Sequence, residues 1–435
     1  MVMAFPKYES YKDSGVEWLG EIPESWSKER AKWLFKKMQR PVRPQDDVVT
    51  VFRDGQVTLR TNRRVEGFTN AIQEHGYQGI RKGDLVIHAM DAFAGSIGVS
   101  DSDGKSTPVY SVCTPLGEFD VNSYYYAYLL RYMAHSGYIQ SLAKGIRERS
   151  TDFRFNDFAN LTLPIPHIEE QNRIVDFLDR ITSDIDQAIA KKQRLIELLN
   201  EQKAILINRA VTKGLNPNVP MRDSGIDAIG EIPEHWGVSR ISFIGKIGNG
   251  STPNRSNASY WNNGSIPWLN SSKVNDIIIK SAEQFVTQKA VRECHLPLVK
   301  PNSIVVAITG EGKTRGNSAI CKIETTINQH LAYIEILDKD ILPEFLHLYL
   351  QGMYEWIRSS SSGNGSTKGA ITCDDIKKYK IPVPQLEEQK SVLNVTSNRI
   401  KDIEEVSQKT LEGIDKLNSL KQVFISEAVT GKIKV

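Results

Sequence analysis

The sequence predicts an α+β protein of two globular domains joined by two long helices, built as an internal repeat with pseudo-twofold symmetry. Three observations carry this. Residues 12–26 return at 222–236, with nine of 15 positions identical at an offset of 210, including Asp13, Ser14, Gly15, Glu21, Ile22, Pro23 and Trp26 against Asp223, Ser224, Gly225, Glu231, Ile232, Pro233 and Trp236. A second segment, Pro164-x-Pro166-x-x-Glu169-Glu170-Gln171, returns as Pro382-x-Pro384-x-x-Glu387-Glu388-Gln389 at an offset of 218. Each copy of the second segment opens a stretch of about 44 residues patterned as helix.

Unit one therefore runs from about residue 12 to 212 and unit two from about 222 to 430. The second is longer by eight residues, all of them between the shared segments. Residues 27–160 and 237–378 show little similarity, so one duplicated frame holds two different inserts. Either an old duplication has drifted in its loops, or two modules of one architecture read two different things; the second reading is preferred. The domain boundaries that follow are 1–165 for the first domain with its shared N-terminal segment and 166–215 for a central long helix. A second domain then spans 216–384, and a C-terminal long helix 385–435.

The first long helix is free of Gly and Pro from 169 to 212. It shows a near-heptad seam at Ile174, Leu178, Ile181, Ile185, Ala188, Lys192, Leu195, Leu199, Gln202 and Leu206. Pro164 and Pro166 block helix before it, and Gly214 and Pro217 stop it. At 1.5 Å per residue it makes a rod of roughly 65 Å. The second, 387–430, has a weaker seam (Ile400, Ile403, Ile414, Leu417, Phe424) and an interior Gly413. Each rod segment, 166–215 and 385–435, carries 8 basic and 8 acidic side chains, so the rods read as spacers and not as nucleic-acid grips. Either they pack on each other, the preferred reading, or each packs on its own domain. Near-identical frame segments should occupy equivalent environments, so residues 12–26 are expected beside the end of the second rod, near 428–430. Within the inserts, 83–88 with 96–99, and 303–308 with 318–323, read as strand pairs joined by loops at 91–95 and 309–317.

Composition excludes several classes. A chain of 435 residues, 40% hydrophobic and 25% charged, can bury a sizeable core and is neither disordered nor collagenous. No run of about 18 apolar residues predicts a membrane span, and the N-terminal residues carry no signal-peptide pattern. Cys113, Cys294, Cys321 and Cys373 lie far apart, which argues against a zinc site and fits a reducing cytoplasm. Net charge is only +3, so a nucleic-acid surface must be local.

Two regions supply such a surface. Residues 28–64 hold eleven basic side chains, among them Arg53, Arg60, Arg63 and Arg64, against four acidic ones. This is either a phosphate footprint or a solvated charged face. A smaller cluster, Lys144, Arg147, Arg149 and Arg154, follows, and Arg suits bidentate contact with guanine. The second insert opens with a Gly, Asn and Ser-rich loop around Asn249, Ser251, Thr252 and Arg255, then Trp261 and Trp268, which either anchor the loop or stack on exposed bases. His88, Lys273, Lys313, Arg315 and Lys368 complete the candidates for DNA contact, although a lone histidine such as His88 is more often structural. No metal site and no catalytic residue is assigned.

One segment imitates a nucleotide-binding loop. Residues 307–314, ending Gly312-Lys313-Thr314, fit a relaxed phosphate-loop pattern after a strand. The mechanism needs a helix starting at the lysine, whereas the residues that follow alternate as a strand. Amino-methyltransferase motifs, Gly-x-Ser-x-Gly and His-Glu-x-x-His are all missing, so the chain does not read as an enzyme. An ATPase using Lys313 and a protein-binding scaffold stand as the rival readings.

The whole pattern resembles the specificity subunit of type I restriction–modification enzymes. The resemblance rests on the two duplicated segments, on Gly250-Ser251-Thr252-Pro253 with Tyr260, Trp261, Pro267 and Trp268 and later Asn328-Gln329, and on the alternation of shared and variable blocks. It implies that each insert is a target-recognition domain entering the DNA major groove and that the two long helices pack antiparallel as spacers. It implies a non-catalytic chain that binds double-stranded DNA, docks two methyltransferase subunits and joins translocating restriction subunits. No cofactor is expected on the chain itself; S-adenosylmethionine, ATP and magnesium are expected on the partner subunits. The family reads two half-sites separated by unread base pairs. The first insert lacks the Gly-Ser-Thr-Pro opening, so its loops do not map onto those of the second.

Overall fold

The computed structural model describes residues 5–63, 75–142, 152–310, 312–361 and 369–435. The chain divides into two compact units, one made of 1–192 with 411–435 and the other of 193–410. Candidates Arg64, Lys144, Arg147, Arg149 and Lys368 lie outside the described residues.

In the first unit the shared segment folds as a hairpin, Tyr11–Asp13 against Glu21–Pro23. Gly15 and Gly20 both sit at φ +63°, which a side chain would strain, and the Asp13 carboxylate accepts the Gly15 N–H at 2.8 Å. A two-stranded ladder follows, Ser27–Arg30 with Thr162–Ile165. It brings both ends of the insert together at the start of the first rod. Between them lies a four-stranded antiparallel sheet in the order Phe35–Lys37, Tyr110–Pro115, Leu85–His88, Ile97–Val99. Leu85 and Ile87 face the main core with helix Ser123–His135, while Val86 and Val112 face a smaller core with Val49, Val51 and Val57. Burial on both faces explains why these strands read as continuous apolar runs.

The second unit repeats the plan. Its hairpin pairs Met221–Asp223 with Glu231–Pro233, and its ladder pairs Gly237–Arg240 with Lys380–Val383. The central sheet has five strands: Gly245–Asn249, Leu331–Ile336, Ser303–Ala307, Ser318–Cys321 and Ile278–Ile279. Ile304, Val306, Ala332 and Ile334 pack with helix Pro343–Gly352, and Val305, Ala307, Leu331 and Tyr333 pack on the opposite face. The strand pairs read from sequence are present in both units, each antiparallel.

The rods are Ile168–Lys213 and Leu386–Val429. In the first unit Asp186 pairs with Lys421 at 2.7 Å, and Phe177 lies against Phe424 with ring centroids 6.1 Å apart. In the second, Lys203 pairs with Glu404 at 2.5 Å, and Gly214 sits beside Glu388. In each unit ascending numbers on one helix meet descending numbers on the other, so the pairing is antiparallel. The seam needs correcting beyond its midpoint. Ile174, Leu178, Ile185 and Leu199 are buried, but Leu195 is 41% exposed, and near the end Ile207, Ala210 and Val211 are buried where Gln202 and Leu206 were expected. A straight helix at 3.6 residues per turn drifts about 20° per heptad from a strict seven-residue repeat, so the contact stripe moves round the rod.

The end of the second rod meets the first hairpin as the repeat required. Tyr125 donates its hydroxyl to the Val429 carbonyl at 2.9 Å, and Trp26, Ala428, Val429 and Ile433 share one core. A β-carbon on Gly431 (φ +72°) would lie 3.0 Å from Trp26, and one on Gly214 (φ +72°) 3.1 Å from Trp236. Both rods thus end in the same left-handed turn against the same tryptophan.

Candidate nucleic-acid interface

In the second unit the sheet register gathers the loops. Asn249 pairs with Ala332, Ala307 with Leu331, and Val306 with Ser318, so residues 249–255, 328–331 and 307–317 emerge at one end of the sheet. The exposed side chain of Asn249 lies at the tip of its strand. Ser251 donates its N–H to the Ile327 carbonyl at 3.1 Å and accepts the Trp268 indole N–H at 3.2 Å. Trp268 is buried and stands edge-on to Trp261 at 5.3 Å, and Trp261 donates to the Asn254 carbonyl at 3.1 Å. Trp268 therefore anchors the loop and is closed to base stacking. Arg255 is exposed and lies over both rings, 4.0 Å from the Trp261 centroid and 4.9 Å from that of Trp268. The rings thus hold the charged guanidinium itself, on a residue that stays exposed at the surface.

A polar chain crosses these tips. The Thr252 hydroxyl bonds Gln329, Gln329 Nε2 meets His330 Nε2 at 3.1 Å, and His330 Nδ1 meets the Thr309 hydroxyl at 2.8 Å. Sequence reading missed Thr309 and His330, which stand 21 residues apart and show no shared pattern; the Asn328-Gln329 pair was the one available pointer. Lys313 is exposed on loop 309–317, whose carbonyls at Lys313 and Arg315 accept from Tyr354 (2.6 Å) and Arg358 (3.4 Å). No helix follows Lys313; the chain runs through turns into the strand Ser318–Cys321. That removes the helix N-terminus a phosphate loop requires.

Two candidates of this unit have their charge engaged by the protein itself or are buried. Arg315 is buried, and its Nη1 packs so tightly on Gly369 that a β-carbon there would sit 2.1 Å away. Lys273 is bonded to Glu283 at 2.9 Å and Asp276 at 3.0 Å, and these bonds raise its pKa. Its charge is satisfied inside the protein.

The first unit offers a corresponding sheet end. His88 pairs with Tyr110 at the edge of the loop 89–96, and the hairpin Val49–Val51 with Val57–Leu59 places Arg53 beside it. Arg53 pairs with Asp91 at 3.0 Å but keeps most of its side chain in solvent. Arg63 pairs with Asp54 at 2.6 Å and lies 4.3 Å over the Phe52 ring. Arg60 reaches the Thr50 hydroxyl at 3.3 Å. His88 accepts the Asp91 N–H on Nδ1 at 3.0 Å and packs edge-on against Tyr110 at 4.7 Å; burial pushes its pKa down, so it is a neutral turn-former. Close backbone packing fixes the hairpin: a β-carbon on Gly98 would fall 1.9 Å from the Gly55 carbonyl oxygen. Among the described residues no cluster of His, Cys, Asp and Glu could hold a metal ion, and no helix is long and apolar enough to cross a membrane.

Comparison with known proteins agrees with this geometry. Residues 66–198 and 233–413 match the family profile "Type I restriction modification DNA specificity domain". A Methanocaldococcus jannaschii chain, provisionally named the type I restriction enzyme MjaX specificity subunit, is 25% identical across 100% of this chain and 99% of its own. The MjaIX specificity subunit of the same organism is 32% identical over 195 residues, 43% of each chain. A chain from a solved structure concerned with assembly and conformational transition of the type I R-M system superposes with TM-score 0.70 at 17% identity, covering 94% of this chain and 98% of that one. The HsdS subunit from Thermoanaerobacter tengcongensis superposes with TM-score 0.53 at 16% identity, covering 95% and 98%. At these identities the superpositions speak to the fold.

Proposed function

Because the chain belongs to the type I restriction–modification DNA specificity family, whose members are non-catalytic subunits that recognise DNA sequence, we propose that it reads an asymmetric bipartite target. The carrying observation is a repeated frame with unlike reading ends. Hairpin, ladder, sheet and rod recur in both units, while the Arg53 hairpin of one and the Asn249–Arg255 loop of the other share neither sequence nor contacts. Each insert, within 1–165 and 216–384, is a target-recognition domain, and the rod segments 166–215 and 385–435 act as spacers. Arg53, Arg60, Arg63, Asn249, Ser251, Thr252, Arg255 and Lys313 supply base and phosphate contacts, with Asn and Thr suited to base edges and Arg to guanine or phosphate. His88 and Arg315 shape the loops that carry them, while the charge of Lys273 is taken up by Asp276 and Glu283. Arg64, Lys144, Arg147, Arg149 and Lys368 join as phosphate contacts on their charge alone.

The partners are double-stranded DNA, two methyltransferase subunits that bring S-adenosylmethionine, and restriction subunits that bring ATP and magnesium, all in the cytoplasm. The test is domain exchange. Replacing residues 237–380 with the corresponding insert of another specificity subunit, followed by methylome sequencing, should change one half-site and leave the other intact. A palindromic target, or a change in both half-sites, overturns the reading.

A further inference from the structure

At the end of each central sheet opposite the reading loops, a second feature recurs. A short helix, Ala31–Leu34 in the first unit and Ile241–Ile244 in the second, leads into the first sheet strand. Ala31, Leu34, Ile241 and Ile244 are buried, but the aromatic between them is not: Trp33 is 48% exposed and Phe243 77%. These two positions are related by the same offset of 210 as the shared hairpins. So are Arg30 and Arg240, and Lys36 and Lys246, all four exposed. The pattern Arg-x-x-aromatic-x-x-Lys thus persists inside segments that otherwise diverge.

The contacts around it repeat as well. The Leu116 N–H donates to the Leu34 carbonyl at 3.0 Å, and the Leu337 N–H to the Ile244 carbonyl at 2.9 Å. A leucine therefore stands at the end of each short helix, half-buried at Leu116 and 65% exposed at Leu337. Among the described residues Arg30, Lys36, Arg240 and Lys246 form no ion pair, and the first patch adds exposed Lys32, 5.0 Å over the Trp33 ring, and Lys37. Acids close by are fewer: Glu29, whose Oε1 accepts the Arg30 N–H at 2.8 Å, Asp338 beyond Leu337, and Glu335, which stands opposite Lys246 in the sheet register and pairs with Lys300 at 2.6 Å.

Single exposed apolar side chains are ordinary. An exposed aromatic flanked by unpaired cations, at one place in both halves of a duplicated frame, has the composition of an interface anchor with a charged rim. We infer that Arg30, Trp33 and Lys36, and likewise Arg240, Phe243 and Lys246, are twin docking anchors, each taking an acidic protein surface with an apolar notch for the ring. Duplication at equivalent sites calls for a partner present in two copies. Resting on the proposed function, that partner is the methyltransferase subunit. The patches lie at the Phe35–Pro115 and Gly245–Ile336 ends of the sheets, away from the loops assigned to DNA, so duplex DNA is the poorer occupant.

The test uses the full chain with the methyltransferase subunit of the same system, by native mass spectrometry for stoichiometry and calorimetry for affinity. Trp33→Ser and Phe243→Ser should each weaken one of two sites at least tenfold and shift the assembly from two copies towards one, and the double variant should lose both. Arg30→Glu with Lys36→Glu should do the same with a marked salt dependence, and Trp33→Phe should restore binding. Unchanged thermal midpoints control for folding. Full two-copy assembly with undiminished affinity in the double variant overturns the inference, as does a variant that keeps both copies and loses only DNA affinity. Wild-type chain that binds no methyltransferase subunit sinks the proposed function and this inference together; binding that the variants leave untouched sinks the inference alone.

Discussion

Gln171 and Gln389 hold the same junction in two places. Each is fully buried one turn into its rod. Gln171 donates to the carbonyls of Pro166 (2.9 Å) and Asp120 (3.0 Å) and accepts the Asn122 N–H at 2.9 Å. Gln389 donates to Pro384 (2.9 Å) and Asp340 (2.7 Å) and accepts the Leu342 N–H at 2.9 Å. One side chain thus ties the last ladder strand, the start of the packing helix and the rod. Gln171→Leu and Gln389→Leu should each cost about 1–3 kcal/mol, because buried backbone groups lose their partners; urea titration of the two variants measures it. The repeated Pro-x-Pro-x-x-Glu-Glu-Gln marked the segment as part of the shared frame. One partner of each glutamine, Pro166 or Pro384, lies within it, but the other two lie some 50 residues upstream and are not legible in it. A pH effect belongs to His347. It is buried, its Nε2 is 3.0 Å from the Ser318 carbonyl, and burial lowers its pKa below the usual 6.5 despite that bond and Glu344. The native state keeps it neutral while the unfolded chain protonates it below about pH 6.5. Its share of stability is therefore present above that value and lost as pH falls below it. Denaturation midpoints followed from pH 7.5 to 5.5 should decline less steeply in His347→Gln than in the parent.

The elements differ in how openly they can be read. The rods and sheet strands were legible because burial imposes a period: continuous apolar runs for strands covered on both faces, three-and-four spacing for helices. The late part of the rod seam was not, since the stripe depends on how a straight helix drifts past its neighbour. The reading loops were legible only as composition. Their exposed and buried cations look alike in sequence, and only folding separates Arg255, held over two indoles, from Arg315, packed beneath the loop against Gly369. Gly413 provides a test on the rods. It lies inside the second rod, and the three atoms nearest a β-carbon there would all belong to the flexible Lys192 side chain, the closest its Nζ at 3.0 Å. Gly413→Ala should raise stability by about 0.5–1 kcal/mol, the usual helix-interior difference, measured as a higher urea midpoint with DNA affinity retained. A loss of stability would mean that the rods approach too closely there for a methyl group.

At the scale of the whole molecule, the duplication predicted that the first hairpin would have the end of a rod beside it, and the first unit supplies one from 411–435. The Lys434 N–H donates to the Pro6 carbonyl at 2.8 Å, so the first and last described segments are neighbours. Joining residue 435 to residue 1 by a short linker and opening the chain between 215 and 219, an exposed turn, should therefore preserve both units. Unchanged circular dichroism and cooperative unfolding of the permutant check this; a molten first unit would contradict it. The same division bears on how the protein is born. The second unit is one unbroken stretch, 193–410, whereas the first needs its opening 192 residues together with the last 25. A chain leaving the ribosome in order completes the later unit while the earlier one still waits. Until Ala428, Val429 and Ile433 emerge, Trp26 and Tyr125 lack the covering they have in the finished core. The half translated first is thus the half whose core is covered last.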